Sequence, residues 1–104
     1  MEEIMNDLTI TNGAWVLVRT YSAGVHFGRL GKKEGKEVTL KQSRRIWAWY
    51  GACSLSQIAV NGLPKENQKI SVAVPEIILT EAIEVISMTE EAIERLSEVP
   101  EWKK

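Results

Sequence analysis

The sequence predicts one α+β domain, a small curved antiparallel sheet or open barrel with a short internal helix and a C-terminal helix. Three observations lead there. A chain of 104 residues fits one domain and leaves little room for two. Several short β-branched and aromatic runs are separated by glycine-bearing turns. Two stretches, 54–60 and 90–99, carry apolar residues at helical spacing behind a capping side chain.

The elements follow in order. Residues 1–12 read as a loose lead-in. Residues 15–20 (Trp-Val-Leu-Val-Arg-Thr) are a short strand, apolar on both faces. Tyr21 to Gly24 form a turn, and residues 25–30 return as the second strand of a hairpin. Gly31 to Gly35 is a solvated turn. Residues 37–41 and 44–50 are a third strand and its continuation, interrupted at 42–43. Ser54 caps a short helix with Leu55, Ile58 and Ala59 on one side, closed by Asn61-Gly62. Ile70, Val72 and Val74 alternate in a strand over 69–74, with Pro75 at its end or at a sheet edge. Residues 82–87 are a further strand. Thr89 caps a last helix from Glu90 to Val99, whose buried stripe is Ala92, Ile93, Leu96 and Val99.

Charge is unevenly spread. The net charge is -1, yet residues 13–53 hold eight bases against two acids, and residues 54–104 hold five bases against nine acids. The basic block fits an anionic partner, or a solvated face turned toward the acidic half. The single Cys53 excludes an intrachain disulfide and, between Ala52 and Ser54, reads as a small buried hydrophobe. The acidic start is no signal peptide, and no apolar run reaches the roughly 20 residues of a membrane helix. The expected setting is the cytosol with no membrane partner. A domain this small encloses a pocket poorly by itself, so a homo-oligomer is expected.

Catalytic sets are missing from the pattern. One His, one Cys and one Asp do not make a metal cluster, and no cofactor motif occurs. His26 has no orienting acid nearby, as a nucleophile–base pair would need. The reading is therefore a binding protein, not an enzyme. What stands out is polar and aromatic material in three groups: Arg19, Tyr21, Ser22, Ala23, Gly24 and His26; Arg44, Arg45, Trp47 and Trp49; and Ser54, Ser56 and Gln57. Arginine forks suit phosphate, aromatic rings suit a base, and small turn residues let backbone amides approach an anion. These are the parts of a nucleotide-sized site.

Each has a plainer reading. Trp47 and Trp49, two apart on a strand, are equally a core or subunit-interface pair. Arg19 in an apolar strand needs an acidic or carbonyl partner, from a glutamate of the same chain or from a ligand. His26 fits a hydrogen-bonded structural role. The Ser54 segment is ordinary capping, or a set of amides open to an anion.

With these residues in view, the chain resembles a family of small phage and prophage proteins of unknown function. The resemblance lies in 19–28 (Arg-Thr-Tyr-Ser-Ala-Gly-Val-His-Phe-Gly) and 44–52 (Arg-Arg-Ile-Trp-Ala-Trp-Tyr-Gly-Ala) with Ser54 to Gln57, and extends over most of the chain. In size and pocket chemistry it is also similar in type to the viral sponge proteins, such as Lockin and Sequestin. That similarity implies sequestration, without turnover, of a nucleotide immune signal such as a cyclic nucleotide or an ADP-ribose derivative. Two other expectations stay open: a module that binds and inhibits a host protein, and single-stranded nucleic-acid binding. The pI near 5.9 weighs against the second.

Overall fold

A computed structural model describes residues 10–102, so most of the expected lead-in lies outside the described residues. Among the described residues six strands and two helices follow in the order β1 (Trp15–Thr20), β2 (Val25–Glu34), β3 (Glu37–Ala48), α1 (Leu55–Asn61), β4 (Lys69–Ile70), β5 (Val74–Leu79), β6 (Ala82–Ser87) and α2 (Glu90–Ser97). The strands form one antiparallel sheet in the order β4-β3-β2-β1-β6, and β5 also pairs with β3. The sheet curls but does not close into a barrel. This is the predicted α+β architecture, and no helix among the described residues is long and apolar enough to cross a membrane.

The apolar pattern of β1 explains the curl. Leu17 packs on the helix side of the sheet with Phe27, Ile46, Ile58, Leu63, Ile70, Leu96 and Val99. Its neighbours Val16 and Val18 point to the opposite face, into a second core with Leu30, Val38, Leu40 and Leu79. Both faces of this central strand are therefore buried. One face can be covered by helices; the other is covered by the sheet bending over itself.

A bulge in β3 divides these two cores. Phe27 pairs with Arg44 and Arg29 with Lys41, which leaves Gly28 opposite both Gln42 and Ser43. Gln42 takes φ 53, and the extra residue reverses the faces of the strand beyond it. Val38 and Leu40 thus face the inner core, whereas Arg44 and Ile46 face the helices. There is no room for a side chain here: a Cβ on Gly28 would lie 2.9 Å from the Lys41 carbonyl oxygen and 3.1 Å from Ser43 Cα.

Some expected boundaries move. Gly31 continues β2, because Lys32 and Lys33 pair with Thr39 and Val38, and the turn falls at Gly35-Lys36. The expected strand 69–74 is split. Its start pairs with the far half of β3 as β4, and Val74 begins β5, which pairs with the near half. Pro75 stands inside β5, a position open to it because β5 pairs only with β3. Trp49 lies beyond the end of β3, so it does not extend a strand face with Trp47. Cys53 is exposed, not buried, because the loop after Gly51 carries it outside the core.

The helices are held by their caps. Ser54 Oγ accepts from Gln57 N, while Gln57 Oε1 accepts from Cys53 N. Thr89 Oγ1 accepts from Ala92 N and donates to the Val60 carbonyl, tying the two helices together. Arg44 then fixes α2 to the sheet. It is 9% exposed, and its guanidinium donates to the carbonyls of Ser71 (2.7 Å), Leu96 (3.2 Å) and Val99 (3.0 Å). Burial lowers its pKa, and the negative charge of Glu101 works against that shift.

Two outcomes follow. Gly28→Ala should destabilise the fold by about 1–3 kcal/mol, since backbone atoms must move to admit the methyl group; urea unfolding measures it. Arg44→Ala strips buried carbonyls of their donor and should cost about 2–4 kcal/mol. Arg44→Lys should recover only part of that loss, because one ammonium cannot reproduce the fork.

Candidate functional site

The bulge turns Arg45 and Trp47 away from the helices. Val18, His26 and Arg45 lie in register across β1, β2 and β3, on one face of the sheet. The backbone of Arg45 is locked to β4's extension: its N–H donates to Ser71 Oγ (2.8 Å) and its carbonyl accepts from Ser71 N (2.9 Å).

Its side chain is clamped from two sides. The guanidinium lies 3.8 Å from the centre of the Trp47 ring. On another side it meets Gly24, where a Cβ would stand 3.2 Å from both Nε and Nη2. Gly24 has φ +85 and no side chain, so the turn tolerates this close approach. Among the described residues no carboxylate or carbonyl accepts a hydrogen bond from this guanidinium. The cation is held by stacking, with its donors left available at the edge.

Two residues outside the predicted set complete the surface. Trp102 packs edge-on against Trp47, with ring centroids 6.3 Å apart, and Lys69 Nζ lies 5.3 Å from the Trp102 ring centre. The chain end is brought here by a bridge of Ile70 to Glu101 and by the Trp102 N–H bond to the Ile70 carbonyl (2.8 Å). The result is a row of cation, ring, ring and cation. Trp47 is 53% and Trp102 46% exposed. The signal for Trp102 in the sequence was a lone aromatic residue after the helix-stopping Pro100, among charged neighbours.

The turn that holds Gly24 is braced by Thr20. Thr20 Oγ1 donates to the Gly24 carbonyl and accepts from Ala23 N, so that amide is not open to an anion. His26 is buried, and its Nε2 is 2.9 Å from the Ala23 carbonyl. Burial, chiefly, lowers its pKa; the Ala23 bond opposes this and the Arg45 charge adds to it. His26 is therefore neutral near pH 7, with the proton on Nε2 donated to Ala23.

The other expected residues lie elsewhere. Arg19 is half exposed and pairs with Glu84 at 3.6 Å, so its partner is a glutamate of the same chain. Such an exposed pair contributes little. Tyr21 lines a different depression with Lys36, Glu81 and Ile83, and Ser22 Oγ donates to Glu81 Oε1. Arg44 is on the helix side with its fork taken by carbonyls. Trp49 donates from Nε1 to the Ala52 carbonyl. Ser54 and Gln57 are spent on capping α1, and Ser56 is exposed on it. Of the three groups read from the sequence, Gly24, His26, Arg45 and Trp47 come together.

The chain belongs to the family described as a domain of unknown function, DUF6948. That family's model matches residues 13–96, which takes in the Gly24 turn, Arg45 and Trp47 and stops short of Trp102. No curated protein and no solved structure matches the chain.

The buried His26 gives the site a pH dependence with a defined sign. Its folded pKa is below the ordinary 6.5, so the unfolded chain takes up the proton first. Its contribution to stability is full above about pH 6.5 and declines as the pH falls through the window down to the folded pKa. Thermal melts between pH 5 and 8 should show that decline, and His26→Gln should flatten it.

Proposed function

We propose that this protein is a non-catalytic binding protein that holds a small anionic nucleotide on the Arg45–Trp47 surface. The observation that carries the reading is the Arg45 guanidinium, pinned between Gly24 and the Trp47 ring with no acceptor among the described residues. A pre-ordered cation with free donors suits a phosphate, because little side-chain freedom remains to be lost on binding. The exposed rings of Trp47 and Trp102 suit a base, and Lys69 offers a second positive charge beyond them. His26, neutral and committed to Ala23, positions the turn and is not free to act as a general base through Nε2.

In this reading the protein is a phage-encoded sponge of the host cytosol, which sequesters a cyclic nucleotide or ADP-ribose-type signal and so blunts antiviral signalling. The resemblance of the 19–28 and 44–52 segments to phage proteins supports that setting. A homo-oligomer fits the open geometry. One chain supplies a single wall, and a second copy placed over the exposed aromatic rings would supply the other.

A second reading has its own support. The cation–ring–ring–cation row is open at the surface, as a platform for a short single strand of nucleic acid would be. Salt separates the two: strand binding weakens steeply as salt rises, in proportion to the phosphates neutralised.

The test is thermal unfolding against mono-, di- and cyclic nucleotides, ADP-ribose derivatives and short oligonucleotides. A ligand at 100 times its Kd adds about 2.7 kcal/mol, a rise of about 10–20 °C for a domain of this size. Trp47→Ala should weaken binding by about 10–100-fold, the worth of one stacked base, and leave the unliganded melt nearly unchanged. A panel with no shift, or a Trp47→Ala protein that binds normally, overturns the assignment.

A further inference from the structure

A second feature lies apart from Arg45, where the curled sheet fails to close. β1 pairs with β2 only over Val25 to Arg29, and the bonds of Gly13 and Ala14 to Leu30 end that contact. From Gly31 onward, the edge of β2 that faces away from β3 has no strand beside it among the described residues. The edge of β6 away from β1 is in the same state. The two edges face each other across a groove of about 680 Å³, walled by β6 residues 82–85, by Leu30, Lys33 and Lys36, and at one side by Ile10 and Asn12 of the segment that leads into β1. Among the described residues, one backbone hydrogen bond spans the gap, from Ala82 N–H to the Lys36 carbonyl (2.9 Å).

Free strand edges carry unpaired N–H and C=O groups and accept an added strand. The groove's chemistry narrows the guest. Leu30 and Ile83 give it an apolar floor and lip; Ile83 is 47% exposed. Lys36 has no acceptor among the described residues, and Lys33 Nζ reaches only the Gly35 carbonyl. The acid in the wall, Glu84, is already paired with Arg19. Glu81, which lies beside Lys36 and Ile83, is the other acid here, so three cations, Lys33, Lys36 and Arg19, stand against two acids, Glu81 and Glu84, and the balance at the groove is one positive charge.

We propose that this groove is a strand-acceptor site that takes an extended acidic peptide from a partner protein, its apolar side chains toward Leu30 and Ile83 and its carboxylates toward Lys33 and Lys36. The site shares no residue with the Arg45–Trp47 surface, so each can fail without the other.

The experiment is amide hydrogen exchange on the full chain, with and without a synthetic nonapeptide alternating glutamate and valine at up to about 1 mM, the range of weak peptide affinities. Exchange at the amides of residues 83–86 that point away from β1 should slow about tenfold or more with peptide, as opening of a covered edge becomes rarer. Lys36→Glu should remove the effect, and a lysine–valine peptide should not produce it. Two outcomes overturn the proposal. Rapid exchange unchanged by the peptide means the edges do not accept a strand. Slow exchange in the free protein at those of these amides that point away from β1 means that the chain itself or a second copy already covers them.

Discussion

One extra residue in β3 is the constraint from which the rest of the structure follows. Gln42 and Ser43 stand together against Gly28, and every side chain beyond them changes face. Without that insertion the even-numbered apolar residues of β3 could not be divided between the two cores. Val38 and Leu40 would lie on the same side as Ile46, and one of the two apolar layers would be left without its third wall. The cost is visible locally. Gln42 adopts a backbone conformation that side chains disfavour, and Ser43 Oγ is buried with no partner among the described residues.

The same reversal separates two adjacent arginines into opposite roles. Arg44 goes inward beneath α2, where four neighbouring carbonyls lie within reach of its fork. A buried cation is costly unless its donors are taken up, and here the end of α2 and the β4 region supply the acceptors. Arg45 goes outward and, among the described residues, finds no acceptor, only the Trp47 ring and the bare backbone of Gly24. The inward arginine also serves the outward one. By holding the end of α2 against β4 it delivers the following residues to the sheet edge, and Trp102 arrives beside Trp47.

The site is therefore a surface built on rigid strands, and its parts reach one another through the sheet. His26 joins the Gly24 turn to the Arg45 strand, so the turn and the clamp form one unit. In the proposed reading this arrangement serves recognition of a flat anion. A shallow surface also leaves room for a second wall, which is the physical ground for expecting another copy of the chain over it.

Much of this was written in the sequence. The α+β class, the hairpin of β1 and β2, the two caps at Ser54 and Thr89 and the strand at 82–87 depend on local preferences, and local preferences are readable. The double-sided burial of β1 was readable too, since Trp-Val-Leu-Val is apolar at both parities. The gap between the expected segments 37–41 and 44–50 falls at the bulge, but nothing local to it shows that an extra residue is inserted there. Which of Arg44 and Arg45 is buried depends on a one-residue offset between strands, and strand pairing is not a local property. The partner of Arg19, the exposure of Cys53 and the arrival of Trp102 likewise depend on segments far apart in the chain. The sequence by itself determined which elements form and which residue types are available for binding. Only the tertiary structure decided which of them meet, because a period of two residues per strand lets a single insertion exchange the inside and outside of everything that follows.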